Sequence, residues 1–297
     1  MRTKQQQTAL GLAYALGGFA LLSVGDAIVK TVAGAWPGTA IATLRYIIGA
    51  VGLCGLLWWR EGRGAFTFPD RAIHFARGFC VAAGSCCFFI AVGYMPLAEA
   101  TVISFANPVF VALLSAAFLG ERASRATWIA TALAFAGVLI VIRPNFGSVG
   151  WVGLLPLATA FFMAVMVTLN RRVAGRASAL KMQVLISATA VPILLSFALA
   201  GHFSGLERLH IGMPSGSVVM KCAIVACSAS AAHGLLYKAT ELVSAATMAP
   251  VTYVQMLVAL VLGYALFGNV PDGIALAGSA LIVMAGLYLW HAGREVR

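Results

Sequence analysis

The stretch "FLGERASRATWIATALAFAGVLIV", residues 118–141, leaves a long apolar run, turns on a Gly and a few charges, and becomes apolar again. Half a chain later, "LFGNVPDGIALAGSALIVMAGLYL", residues 266–289, has the same shape. Only Gly120/Gly268, Ala132/Ala280, Leu133/Leu281 and Leu139/Leu287 are identical in register. A shape kept while its letters drift points to a structural repeat.

Working outward, the whole chain is apolar. Hydrophobic residues make up 61% of the 297 and charged residues 10%, against about 25% charged in a soluble domain. One soluble core cannot hide that much apolar surface, so the expected solvent is lipid. The net charge of +11 would suggest nucleic acid in a soluble chain. Here the basic residues flank apolar runs, which is a membrane-orientation signal, and no nucleic-acid partner is expected. Cys54, Cys80, Cys86, Cys87, Cys222 and Cys227 lie inside apolar runs without CxxC or metal spacing. They read as small buried hydrophobes, with no disulfide framework and no metal. After "MRTKQQQ" the apolar stretch is too long for a cleaved signal, so it reads as a retained first span.

Spanning helices need about 20 mostly apolar residues. Ten such runs are expected, near 8–34, 38–59, 71–93, 97–118, 125–143, 150–170, 179–200, 217–239, 243–267 and 272–291. The breaks carry loop chemistry, as in Trp36-Pro37-Gly38, Glu61-Gly62-Arg63-Gly64, Met95-Pro96, Arg143-Pro144-Asn145 and Pro271-Asp272-Gly273. Of the 20 Lys and Arg, Lys30, Arg143, Arg208 and Lys221 fall on one side and Arg45 within a span. The other fifteen share the side of the termini, which places both termini in the cytoplasm and favours an even span count. Spans four and five then recur as nine and ten. With five spans per half, the second copy enters from the opposite face. The expected fold is all-α and integral to the membrane: ten helices as two inverted-topology repeats, 1–148 and 149–297. Such halves enclose a midplane site and rock about it.

"GDAIVKTVAGAWPGTAIATLRYIIGA" (25–50) and "ATVISFANPVFVALLSAAFLGERASRATWIATALAFAGVLIV" (100–141) resemble the EamA-type drug/metabolite transporter superfamily. Lys30, Pro37, Arg45, Pro108, Gly120, Glu121 and Gly137 carry the likeness, while Asn269 stands in the second half where the first has Glu121. In overall likeness the chain is also similar to the YddG-type amino-acid exporter branch. The resemblance implies a secondary transporter in the inner membrane that exports aromatic and other neutral amino acids. The superfamily also contains nucleotide-sugar and sugar-phosphate carriers, so another metabolite class or a drug is the alternative.

Polar groups at membrane depth are functional candidates. Asp26 and Lys30 read either as an ion-coupling or substrate-charge site, or as an i,i+4 pair that neutralises itself. Arg45 either pairs with Asp26 across the first hairpin or meets a substrate carboxylate. In span four, Thr101, Ser104, Asn107, Pro108, Val111 and Ser115 form one stripe, and Pro108 frees a carbonyl near Ser104. In span nine, an offset of 146 sets Ala246-Thr247 under Ala100-Thr101 and Tyr253 under Asn107; Thr247, Pro250, Tyr253 and Leu257 share a face. Asn107 and Tyr253 thus become equivalent candidates, for the substrate or for helix packing. Gln255 faces elsewhere and reads as interhelical glue. Ser85 and Ser230 supply further polar groups, and Phe88, Phe89 and Met163 apolar wall. His74, Arg77, His233 and Tyr237 read as interface anchors or an inner gate.

No HExxH, GxSxG, P-loop or strand-borne GxGxxG occurs. An enzyme is not expected, nor a cofactor, and the expected partners are lipid and a small molecule. A channel or intramembrane enzyme remains the lesser alternative. The Gly137 face of span five suits a homodimer contact or packing within the bundle.

Overall fold

Apolar runs bounded by capping chemistry set the helices of the computed structural model, which describes residues 4–119, 125–142, 150–173, 176–243 and 249–295. The helices are α1 (Lys4–Val32), α2 (Gly38–Glu61), α3 (Arg71–Tyr94), α4 (Leu97–Ser104), α5 (Asn107–Leu119), α6 (Arg125–Ile142), α7 (Leu155–Val173), α8 (Ala179–His202), α9 (Gly216–Leu242), α10 (Val254–Phe267) and α11 (Gly273–Glu295). Ser178 caps α8 by accepting from the Lys181 amide at 3.1 Å, and Ser215 caps α9 on the Val218 amide at 3.4 Å. Asp272 Oδ1 accepts from the Ala275 amide at 2.8 Å at the start of α11. Gly268 ends α10 at φ 65°, a left-handed cap that glycine adopts without strain.

Among the described residues, 6 helices are long and apolar enough to cross a membrane: residues 5–32, 38–61, 71–94, 150–170, 179–202 and 216–242. Four shorter apolar segments, 97–111, 128–141, 251–267 and 273–288, accompany them. The molecule is a multi-pass, all-helical membrane protein.

One expected span is interrupted. The run 97–118 divides into α4 and α5 at Phe105 and Ala106. Pro108 has no N–H to continue the ladder onto Ser104, so the chain makes a turn: Phe105 N bonds Thr101 O and Val102 O, and Ala106 N bonds Ile103 O. The turn resets the helical phase, so the six-residue stripe does not run unbroken. A 3₁₀ segment, Ala249–Tyr253, containing Pro250, leads into α10. The two irregular places meet, with the Phe105 and Tyr253 ring centroids 5.4 Å apart. Gly120, Glu121, Arg122, Arg143-Pro144-Asn145 and Ala246-Thr247 lie outside the described residues.

The helices pair in a fixed pattern. α1 packs on α9 and α10, and α3 on α7 and α8. α2 packs on α8 and α9, α4 on α10 and α7, α5 on α7, and α6 on α11. The main core runs through Val29, Ile41, Phe89, Leu97, Ile103, Leu194, Val225 and Ile282. Interhelical polar ties add register: Thr159 Oγ1 donates to Gly84 O at 3.0 Å, and Tyr46 and Ser85 hydroxyls meet at 3.1 Å.

Candidate functional site

Five helices bring charged, polar and aromatic side chains toward one another. Asp26 comes from α1, Arg45 and Tyr46 from α2, Phe89 from α3, His233 from α9 and Gln255 from α10. Arg45 lies within Coulombic reach of Asp26, His233 and Cys222. His233 is exposed and Asp26 half-buried. Tyr237 is exposed, and its hydroxyl meets Glu241 one turn on.

Arg45 is the distinctive group. Its guanidinium stacks over the Tyr46 ring at 4.8 Å and the Phe89 ring at 5.0 Å. Among the described residues it makes no hydrogen bond and no ion pair, with Asp26 or any other group. Ring faces stabilise a cation by about 0.5–2 kcal/mol but satisfy none of its five N–H donors. The planar fork is therefore left without a hydrogen-bond acceptor, in a form that matches a carboxylate.

Asp26 is ion-paired with neither Lys30 nor Arg45. Gln255 Nε2 donates to Asp26 Oδ2 at 3.3 Å, and Gln255 O accepts from Ser23 Oγ at 3.0 Å. Gln255 is thus interhelical glue that also orients the Asp26 carboxylate. Lys30, one turn from Asp26, turns away. Its Nζ donates to Met95 O at 2.7 Å and Val92 O at 3.2 Å and lies 5.3 Å from the Phe267 ring centroid. The i,i+4 neutralisation does not form, because α3 ends in free carbonyls within reach of Lys30.

The remaining candidates are engaged in packing. Asn107 Nδ2 donates to Ala160 O at 2.9 Å. Ser104 Oγ donates to Ala100 O at 2.9 Å and Pro156 O at 3.3 Å, so both residues tie the α4–α5 break to α7. Ser230 Oγ bonds back to Ala226 O at 2.9 Å. Tyr253 projects its hydroxyl onto α11, where a Cβ on Gly286 would stand 1.8 Å from it. Phe88 lies in the core, and it is Phe89 that flanks Arg45. Met163 packs its methyl over Gly84, 2.5 Å from where a Cβ would stand. Asn107→Ala is expected to lower stability by about 0.5–1.5 kcal/mol, one interhelical hydrogen bond. Melting and binding curves on the same purified variant check this, with affinity in the folded fraction unchanged.

Two matches to the EamA-like transporter family model cover residues 9–143 and 150–290. The chain belongs to the EamA-like transporter family. It is a membrane transporter of the drug/metabolite transporter superfamily. It is similar to an S-adenosylmethionine uptake transporter of Rickettsia bellii, 23% identical over 292 residues, covering 95% of this chain and 96% of the relative. A riboflavin transporter of Rhizobium johnstonii is 26% identical over 222 residues, 75% of this chain and 70% of the relative. The pseudopaline exporter CntI of Pseudomonas aeruginosa is 27% identical over 270 residues, 90% and 91% of the two chains. These relatives do not single out an amino-acid exporter branch. A solved crystal structure shares the fold, with a TM-score of 0.62 at 20% identity over 97% of this chain and 98% of its own.

Proposed function

We propose that this transporter carries small amphoteric molecules with an α-amino-acid head group, the neutral apolar and aromatic amino acids first, around a midplane cavity. The observation that carries the reading is the pair of opposed, separately held charges. Arg45 offers an unengaged fork for a carboxylate, and Asp26, within Coulombic reach of Arg45, offers a carboxylate for an ammonium. Tyr46 and Phe89 add apolar faces beside the head group. S-adenosylmethionine, named for the Rickettsia relatives, is itself an amino acid with a large aromatic-bearing body, and it makes a useful test substrate. A sugar-phosphate or nucleotide-sugar carrier needs more cationic charge at depth than one arginine supplies. Transport without chemical change accords with relatives that are transporters rather than enzymes.

Alternating access follows from reading the chain as ten spans in two inverted halves, 1–148 and 149–297. The helix pairing supports that reading. Exchange α1 with α7, α2 with α8, α3 with α9, α4–α5 with the 249–253 segment and α10, and α6 with α11. The α1–α9 pair then becomes α7–α3, α2–α9 becomes α8–α3, and α1–α10 becomes α7 with α4–α5, while α2–α8, α4–α10 and α6–α11 map onto themselves. Most of the principal contacts have a mate, as a two-fold axis in the membrane plane favours, while α2–α3 packs without an α8–α9 counterpart of similar extent among the described residues.

Counterflow into proteoliposomes tests the substrate class. Amino acids and S-adenosylmethionine should exchange and sugar phosphates should not; movement of phosphorylated sugars alone would discard the class while leaving the family. The fifteen basic residues on the termini side support cytoplasmic termini in an inner membrane. Single cysteines near Lys4 and Glu295, in a cysteine-free background, should resist impermeant labelling in intact cells. One near Ser204 should label, and the reverse pattern would invert the orientation.

A further inference from the structure

The end of the bundle where α1 begins holds a cluster that the cavity does not use. Among the described residues, His74 and Arg77 are the only acidic or basic side chains that are nine-tenths buried, at 1% and 3% exposure. Arg77 Nε donates to Asn170 Oδ1 at 2.6 Å, and its NH1 lies 2.8 Å from His74 Nδ1 and 3.6 Å from Met182 Sδ. Thr189 Oγ1 donates to His74 O at 3.1 Å. The contacts bind α3 to α7 and α8. An outer rim repeats the crossing: Arg176 pairs with Asp70, Ser178 Oγ donates to Glu61 Oε1 at 2.6 Å, and Lys181 Nζ donates to Thr67 Oγ1 at 2.5 Å.

Arginine has only donors, so His74 Nδ1 must be the acceptor. The ring is then neutral, with its proton on Nε2. We infer that His74 is a proton-binding site, and that protonating it releases the α3–α7–α8 junction and opens this end of the bundle.

A second proton on the ring removes the acceptor and sets two cations 2.8 Å apart in a buried place. The groups facing His74 offer little relief. On α3 they are Arg77 and, just before the helix, Asp70; on α8 they are Lys181, Met182 and Thr189. Asn170 of α7 reaches it through Arg77, and the Phe68 ring lies 5.9 Å away. Asp70 already holds Arg176, and Lys181 adds positive charge. Water at an opened junction is what remains to solvate both cations. At the other end, where α9 meets α1 and α2, the buried groups are Val218, Cys222 and Val225, and among the described residues no acid or base is buried there. His202 and His210 stack at that end, ring centroids 4.5 Å apart, and His210 is exposed, so no buried junction depends on their charge. The value of His74 as a gate rests on the transporter reading, but its test uses no substrate, so the two can fail separately.

The test is a distance between nitroxide labels at cysteines replacing the exposed Arg63 and Arg172 in an otherwise cysteine-free chain. Lowering the pH from about 8 to about 5 spans the range in which histidine charges. A longer distance population should grow as the pH falls. His74→Asn keeps an acceptor that cannot charge, and it should hold the short distance at both ends of the range. In the unlabelled wild type, C2-hydrogen exchange at each histidine, read by mass spectrometry, should give a His74 midpoint that coincides with the distance transition. That comparison decides the matter if the variant does not fold. A pH-independent distance, a His74→Asn chain that still opens, or a His74 midpoint far from the transition would each overturn the inference.

Discussion

Arg45→Gln is expected to abolish measurable counterflow while the bundle stays folded. The stacked guanidinium contributes ring contacts but no hydrogen bond to the fold, so its removal leaves no interhelical donor or acceptor unmatched. What it removes is the carboxylate receptor. A hydrogen bond to a charged group contributes about 1.5–3 kcal/mol, which is roughly tenfold to more than a hundredfold in affinity. A glutamine keeps length and polarity and loses the charge and the fork. Arg45→Lys should recover little, because a point ammonium neither chelates a carboxylate through two parallel bonds nor spreads a delocalised charge over the Tyr46 and Phe89 rings. Asp26→Asn should weaken binding as well, with its bond from Gln255 kept by the remaining carbonyl oxygen. Scintillation proximity binding and thermal melting on the same preparations separate the two roles. Unchanged affinity with a lowered melting point would make Arg45 a packing residue and end the amino-acid reading.

The long helices could be read from sequence because lipid leaves few choices. A run of about 20 apolar residues between Pro, Gly and charged turns must form a helix to satisfy its own backbone. The α4–α5 break was harder to see. Pro108 marked a missing donor, but hydropathy runs on smoothly through Phe105 and Ala106. The turn there is stabilised by Ser104 and Asn107 bonding to α7, which is tertiary information.

The site was legible in kind and not in partnership. An arginine inside a span announces itself by its cost. That Phe89 rather than Phe88 flanks it depends on how α3 is rotated, and two adjacent phenylalanines do not reveal that. Sequence spacing set Asp26 against Lys30, yet each found a partner from a distant helix, Gln255 and the α3 carbonyls. Tyr46, next to Arg45 in sequence, was the overlooked signal, since an aromatic ring beside a buried cation can turn its face to it. His74 and Arg77 looked like interface anchors because they begin a span. Only the approach of α7 and α8 buries them.

Gly137→Val is expected to be the most destabilising single change at the edge of the bundle. A Cβ on Gly137 would stand 2.7 Å from Ile282 Cγ1, 2.8 Å from Gly278 O and 3.1 Å from Ile282 N. Gly278 faces the same constraint, with its Cβ 2.9 Å from Gly137 O. Two of the obstacles at Gly137 are backbone atoms, which no rotamer change can move, so α6 and α11 must separate. Without a hydrophobic drive between helices in lipid, that close approach is what holds such a pair together. Overpacking costs about 1–3 kcal/mol for Gly137→Ala and more for the branched side chain. Melting of the detergent-solubilised protein should fall in that order, and affinity in the folded fraction should hold, since α6 and α11 supply no charged group to the cavity. The same pair of variants decides what the glycine face of span five is for. A contact between two copies of the chain would lose association on substitution and keep its melting point. Packing within one chain, which the Gly137–Gly278 geometry requires, lowers the melting point and leaves the association state unchanged.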